Sequence, residues 1–172
     1  MPLNKAPSVE PLGTHHDRAG FSCGEAALDS YLRTQAGQDV RRRVCRIFVA
    51  TLDDRAVVAG FYALSATAVE ARNLPADLSR KLPKYPLSAA LICRLAVDER
   101  FQGLSLGKYL LMDAIARTAE AASSIGIYAV IVDAKNEPAK AFYEKYGFKA
   151  FPTLPRRLFI PLKTAAALLA VP

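Results

Sequence analysis

No stretch of this chain approaches the roughly twenty consecutive apolar residues that a membrane-spanning helix requires. The opening Met1-Pro2-Leu3-Asn4-Lys5 has no hydrophobic signal region either. The expectation is a cytoplasmic protein without a membrane association. Cysteine is scarce: Cys23, Cys45 and Cys93 are odd in number, widely spaced and set in apolar surroundings. That pattern excludes a disulfide frame and a cysteine metal site, and reads as reduced core thiols. The two histidines, His15 and His16, sit side by side in the polar turn Gly13–Asp17. They read as exposed turn residues rather than catalysts, and no metal site is expected. Repeats and low-complexity segments are absent, and 172 residues leave no room for a second domain beside one of 1–172.

What is present is a chain 52% apolar and 23% charged, with a formal charge of +7. The excess is local. Arg41, Arg42, Arg43 and Arg46 form one group, and Arg80, Lys81 and Lys84 another. Such clusters favour a polyanionic partner, although a solvated charged face is the other reading.

The chain is organised around Leu91-Ile-Cys-Arg-Leu-Ala-Val97, the loop Asp98-Glu-Arg-Phe-Gln102-Gly-Leu-Ser-Leu-Gly107, and the segment Lys108 to Glu120. An apolar, β-favouring run enters a polar turn, and three- and four-residue spacings of Leu106, Tyr109, Leu110, Met112, Ala114, Ile115 and Ala119 predict an amphipathic helix. The first N–H groups of such a helix lack internal partners and sit at the positive end of its dipole. Gly103 and Gly107 leave room for a phosphate to reach the backbone. Many strand-to-helix turns carry two glycines and bind nothing, so spacing alone leaves both readings open.

Around this stretch, Val9–Leu12 reads as a short first strand. A helix with its apolar face at Leu28, Tyr31 and Leu32 is expected to fade near Gly37. Ile47–Ala50 and Ala56–Leu64 read as a hairpin across an acidic turn. Residues 66–90, with Pro75, Pro83 and Pro86, read as a long surface connection with one helical turn near Asp77–Lys81. Ile125–Val132 is apolar enough for a central strand. Asn136-Glu-Pro138 caps a second helix that Gly147 stops. Arg157–Leu162 reads as an edge strand because it contains Pro161, and Thr164–Val171 as a terminal helix.

Leu95-Ala96-Val97, Gln102-Gly-Leu-Ser-Leu-Gly107, Asn136 and Phe142-Tyr143-Glu-Lys-Tyr-Gly147-Phe148 together resemble the GNAT superfamily of acyl-CoA-dependent N-acyltransferases. The order of the motifs matches, and the likeness covers most of the chain. The resemblance implies an α+β fold with a mixed central sheet of about six strands flanked by helices. It places the coenzyme A pyrophosphate on Gln102, Gly103, Leu104, Ser105, Leu106, Gly107 and Lys108. It places the pantetheine arm on the backbone of Leu95, Ala96 and Val97, with Asn136 and Phe142 beside the cofactor, and makes Tyr143 the general acid. The family's middle loop glycine is Ser105 here. Its N–H survives, but a Cβ is added where backbone and ligand come close.

The chemistry can be tested on the residues present. A phenol of pKa about 10 stays protonated at pH 7 and can pass its proton to a thiolate of pKa about 8.5. The competing reading is that Phe142 and Tyr143 only pack the helix. No histidine lies in the motifs, and an α-amine of pKa about 7.7–8.0 needs far less help from a base than a lysine of about 10.4. An α-amino acceptor therefore suits this chain, with water or a backbone carbonyl taking the proton. Asp98 and Glu99 are possible bases, or solvated turn carboxylates.

Phe21-x-Cys-Gly24 with Leu28-Asp29-x-Tyr-Leu32 and the basic segment behind it resembles, more narrowly, the GNAT toxins of toxin–antitoxin modules. That implies acetylation of aminoacyl-tRNA, a block of translation, a ribbon-helix-helix antitoxin and a homodimer. Arg41, Arg42, Arg43, Arg46, Lys81, Lys84 and Arg94 are the candidate nucleic-acid contacts. Strand alternation would set Arg42 and Arg46 opposite Arg41 and Arg43. Arg94 interrupts an apolar strand and must be paired or face an anion. Two other readings remain: an acetyltransferase for a protein N-terminus or small amine, and a non-catalytic RNA- or partner-binding module.

Overall fold

Runs of β-branched and aromatic residues alternate along the chain with apolar residues spaced three and four apart. In the computed structural model, which describes residues 5–170, they become seven strands and six α-helices among the described residues. β1 (Ser8–Pro11) is followed by α1 (Ala26–Thr34), α2 (Ala36–Arg41), β2 (Arg46–Thr51) and β3 (Gly60–Val69). A 3-10 turn, Ala71–Asn73, and α3 (Ala76–Ser79) lead into β4 (Leu87–Val97). After it come the 3-10 turn Glu99–Phe101, α4 (Leu106–Ala121), β5 (Ala129–Asp133) and α5 (Glu137–Lys145). β6 (Lys149–Phe151), β7 (Leu154–Pro161) and α6 (Leu162–Leu168) follow.

The strand order is β1-β2-β3-β4-β5-β7-β6. β4 and β5 run parallel from Ala89↔Ala129 to Ile92↔Val132, and β4 continues to Val97. β1–β2, β2–β3, β5–β7 and β6–β7 are antiparallel. The chain forms two compact units, Met1–Ser65 with Cys93–Ala114 and Ala66–Ile92 with Ile115–Pro172. In the first, Phe21, Tyr31, Leu32, Ile47, Val49 and Phe61 are buried together, with Phe21 edge-on to Phe61 at 5.4 Å. Each such side chain contributes roughly 1.5–3 kcal/mol of transfer free energy. In the second, Val69, Leu74, Ala89, Ile131, Phe151 and Phe159 form the core. No described helix is long and apolar enough to cross a membrane.

Several expectations change. The sheet has seven strands rather than about six, because β6 is only 3 residues long and pairs with a register shift between Ala150 and Phe151. So short a strand carries no period. β7 is not an edge strand: it lies between β5 and β6, and Pro161 is tolerated because it is the strand's last residue, opposite Ala129. The first helix ends at Thr34, close to Gly37 as expected, but a second helix, α2, follows at once and carries the chain through Gly37 to Arg41. Strand alternation therefore does not apply to the arginines: Arg41 ends α2, Arg42 caps it, Arg43 turns with φ 61°, and only Arg46 lies on β2. The connection 66–90 is shorter than expected, because β3 runs to Val69 and β4 starts at Leu87. The central strand begins at Ala129, and Ile125 is 62% exposed. The terminal helix starts at Leu162, while Val171 and Met1–Asn4 lie outside the described residues.

Candidate active site

In the first unit, β4 ends against a network that fixes the following loop. Asp98 is 1% exposed and accepts from the backbone N–H groups of Ser22 (3.0 Å) and Arg100 (2.9 Å) and from the Arg100 guanidinium (2.9 and 3.1 Å). Burial alone would push this carboxyl up, but the hydrogen bonds from Arg100 and Ser22 outweigh it and hold the pKa below the ordinary value. Asp98 is thus a saturated structural carboxylate, neither a base nor a solvated turn residue. Glu99 is exposed, and its N–H donates to Ser22 O at 2.8 Å. The Gln102 side chain is also committed inward, its Nε2 donating to Val97 O (3.0 Å) and Cys23 O (3.2 Å). Of its donors, only the backbone N–H remains to serve a ligand.

Beyond this brace the loop opens. Gly103 takes φ +82°, and a Cβ there would stand in open space, so the residue is needed for conformation and for access. Ser105 also has positive φ, 62°, although it is not glycine. The left-handed region costs an L-residue roughly 1 kcal/mol, so the loop imposes here the shape a glycine would adopt freely. Ser105 is exposed, Leu106 is buried and Lys108 is exposed. Among the described residues, the N–H groups of Leu104 to Lys108 donate to no protein acceptor. Open amides at a helix start, beside a left-handed turn, fit a phosphate group. Farther along α4, Leu110, Leu111, Ala114 and Ile115 are buried, while Tyr109 is 44% exposed.

In the second unit, the Asn136 side chain accepts from Ala139 N–H at 2.9 Å and caps α5, so its carbonyl is already engaged. Gly147, with φ +94°, ends the helix as expected. Tyr143 is 7% exposed, with Phe142 edge-on at 5.2 Å and Phe148 at 5.5 Å. Burial pushes its phenol up to about 12. Among the described residues no protein group hydrogen-bonds its hydroxyl. A buried phenol with an uncommitted O–H holds its proton firmly and can still donate it to a ligand. The ring packs while the hydroxyl stays available, an arrangement compatible with the packing reading and with the acid reading alike.

Arg41, Arg42, Arg43 and Arg46 are all exposed in the first unit, and Lys81 and Lys84 are exposed in the second. Arg94 is half-buried, and its guanidinium lies 3.6 Å from the centroid of the Tyr31 ring. Tyr31 and Asp39, which hold this arrangement, were not readable as site residues. Tyr31 looked like one position of an apolar helix face, and nothing in the spacing joins it to β4. The bracing bonds from Ser22 to Asp98 and from Gln102 to Cys23 span 76 and 79 positions, which no local pattern reveals.

Ligand-type atoms of Glu10, His15 and His16 lie within 4.8 Å of one another. His16 is not an exposed turn residue: its side chain has 0% exposure, Gly13 N–H donates to its Nδ1 at 2.9 Å, and its Nε2 lies 2.9 Å from Glu10. Because Nδ1 must accept, the neutral ring carries its proton on Nε2 and donates to Glu10. A metal at Nε2 would have to displace that proton, so the arrangement fits a turn lock better than a metal site. Cys23 and Cys45 are buried and Cys93 half-buried, and none of the three is in a disulfide.

A family model for the acetyltransferase (GNAT) domain matches residues 43–150. The chain is 42% identical over 153 residues to a tRNA-acetylating toxin of Mycobacterium tuberculosis (strain ATCC 25618 / H37Rv), covering 89% of this chain and 90% of that protein. It superposes with a TM-score of 0.87 and 28% identity on AtaT complexed with acetyl-methionyl-tRNAfMet, covering 95% of this chain and 99% of the other. A tyrosine-to-phenylalanine mutant of the AtaT toxin, bound to the C-terminus of the antitoxin AtaR and acetyl-CoA, is similar with a TM-score of 0.81 and 27% identity. That superposition covers 97% of this chain and 100% of the other.

Proposed function

This chain belongs to the GNAT acetyltransferase family, and on that premise we propose that it is the toxin of a toxin–antitoxin module, transferring acetyl from acetyl-CoA to the amino group of aminoacyl-tRNA and so blocking translation. The chemistry is carried by one observation, the buried and packed Tyr143 ring whose hydroxyl no protein group engages among the described residues. The acceptor rests on the relative that acetylates tRNA and on the likeness to AtaT with an acetylated methionyl-tRNA. Because the matched span 43–150 runs through both compact units, we read 1–172 as a single catalytic domain.

The open amides of Leu104 to Lys108 and the space over Gly103 suit the pyrophosphate, and the backbone of Leu95, Ala96 and Val97 suits the pantetheine amides. Gln102 and Asp98 hold the loop's shape. Phe142 fixes the ring of Tyr143, and Asn136 fixes the start of its helix. Acetyl-CoA supplies the acetyl group already activated as a thioester. As the acceptor nitrogen forms its bond to the carbonyl carbon, the carbon–sulfur bond breaks and Tyr143 gives its proton to the departing sulfur. The α-amine loses its own proton to water or a backbone carbonyl, and the Tyr143 phenolate recovers a proton from solvent. No strong base is required, because an α-amine of pKa about 7.7–8.0 is substantially neutral near pH 7.5. This agrees with Asp98 being saturated and buried.

The same reading includes a ribbon-helix-helix antitoxin whose acidic tail covers the arginines, a homodimer, and work in the cytoplasm. The test is incubation with labelled acetyl-CoA and total charged tRNA. Label should appear on the aminoacyl moiety, and expression should arrest growth unless Tyr143 is replaced by Phe or an antitoxin is supplied. Label on protein N-termini or small amines, with none on tRNA, would overturn the acceptor assignment.

A further inference from the structure

Arg94 presents an unresolved charge. It sits half-buried on β4 among Ile92, Cys93, Leu95 and Ala96, where a guanidinium is costly without an anion. Among the described residues, no carboxylate makes an ion pair with it. Its nearest held partner is the face of Tyr31, 3.6 Å away, which covers one side of the guanidinium plane and leaves the N–H groups at its edges. Tyr31 is itself immobilised. It is 3% exposed on α1, its hydroxyl donates to Asp39 at 2.8 Å, and Cys45 Sγ lies 3.5 Å away. Asp39, the one carboxylate in this cluster, is thereby engaged by the phenol.

The result is a planar fork held in one orientation, with its in-plane donors unspent. That geometry matches two oxygens of a phosphate, where a flexible lysine would present only a point charge. The surroundings narrow the choice of anion. Asp39 and Cys45 bracket Arg41, Arg42 and Arg43, and Arg46 follows, all four exposed in the same unit as Arg94. Four exposed arginines in the same unit as one held guanidinium suit a chain of phosphodiesters better than a single free anion.

We propose that Arg94 reads a phosphodiester in the single-stranded acceptor end of the charged tRNA, and that Tyr31, tied to Asp39, is the residue that positions it. This rests on the aminoacyl-tRNA reading and adds a phosphate subsite and a positioning pair to it. Acetyl-CoA plays no part in it.

The experiment measures KM and kcat for charged tRNA at several salt concentrations, with the acetyl-CoA dissociation constant as control, for the parent and for Arg94→Gln, Arg94→Lys, Tyr31→Phe and Tyr31→Leu. Arg94→Gln should raise KM roughly tenfold with kcat little changed. It should also reduce the magnitude of the log–log salt slope by about 0.7, the value of one single-strand phosphate contact. Arg94→Lys should keep the slope and recover only part of the KM. Tyr31→Phe keeps the ring beneath Arg94 but cuts its tie to Asp39 and should raise KM about two- to threefold, whereas Tyr31→Leu should raise it roughly fivefold with the slope kept. If Tyr31→Leu does not fold, the Arg94 pair still decides the matter. An unchanged tRNA KM and slope in Arg94→Gln would overturn the proposal. So would an equal loss of acetyl-CoA affinity, or a defect confined to antitoxin binding. A parent protein that labels no tRNA would instead remove the aminoacyl-tRNA reading itself, so the two failures are told apart.

Discussion

Replacing Tyr143 by phenylalanine removes one oxygen atom from a side chain that is 7% exposed and whose hydroxyl has no protein partner among the described residues. The ring contacts to Phe142 and Phe148 survive, and no acceptor is orphaned, so stability should change by no more than about 0.5 kcal/mol. The rate should respond very differently. Loss of a positioned general acid costs roughly 10²–10⁴ in kcat, or about 3 to 5 kcal/mol of barrier. The pH profile adds a second signature. Because burial lifts the phenol to about 12, the parent's kcat/KM should rise as the acceptor α-amine deprotonates near pH 8 and show no acid-loss limb below about pH 10. Stability should follow the same group. The neutral form is the one favoured in the fold, so this contribution is complete below about pH 10 and is lost as pH rises toward 12. Tyr143→Phe should lack that alkaline loss. Thermal unfolding, acetyl-CoA titration and single-turnover transfer together make the assay. A variant that keeps its fold, binds acetyl-CoA and retains kcat within twofold would refute the acid role.

At Ser105, glycine should leave stability within about 0.5 kcal/mol, since relief of the positive φ is offset by a freer unfolded chain. Acetyl-CoA should bind Ser105→Gly as tightly as the parent or tighter, while Ser105→Val should lose about 1–2 kcal/mol of stability and bind more weakly, both measurable by calorimetry. Asp98→Ala should cost about 2–4 kcal/mol, because it strands the Ser22 and Arg100 donors around a buried site; urea unfolding reads this directly. In the parent, the Asp98 contribution is present above the ordinary carboxylate pKa of about 3.9 and disappears as pH falls below it, because the folded pKa is depressed. Changing Arg41, Arg42 and Arg43 together to Gln should lower the tRNA salt slope by about 2, while kcat at saturating tRNA and acetyl-CoA affinity stay near parental values.

Much of this protein is local and therefore readable in one dimension. The amphipathic spacing after Gly107, the Asn136 cap, the left-handed Gly147 and the apolar run of β5 each depend on residues within a few positions of one another. So does the motif carrying Tyr143, whose chemistry follows from what a phenol is. The short β6, the inner place of β7 and the passage of α2 through Gly37 were not local, because each is decided by a neighbouring strand or a packed face. The same holds for the site. Sequence named Ser105 as the departure from the family loop, but only the fold showed that it accepts a glycine's φ. Sequence could offer Asp98 as a base and Gln102 as a ligand. Contacts to Ser22 and Cys23, on a segment more than seventy positions earlier, show that the Asp98 carboxylate and the Gln102 side-chain amide brace the loop. Arg94 could be recognised as a misplaced charge from the apolar run it interrupts. Which aromatic face would hold it was left to the packing of α1 against β4, because stacking is a relation between surfaces that the order of residues does not encode.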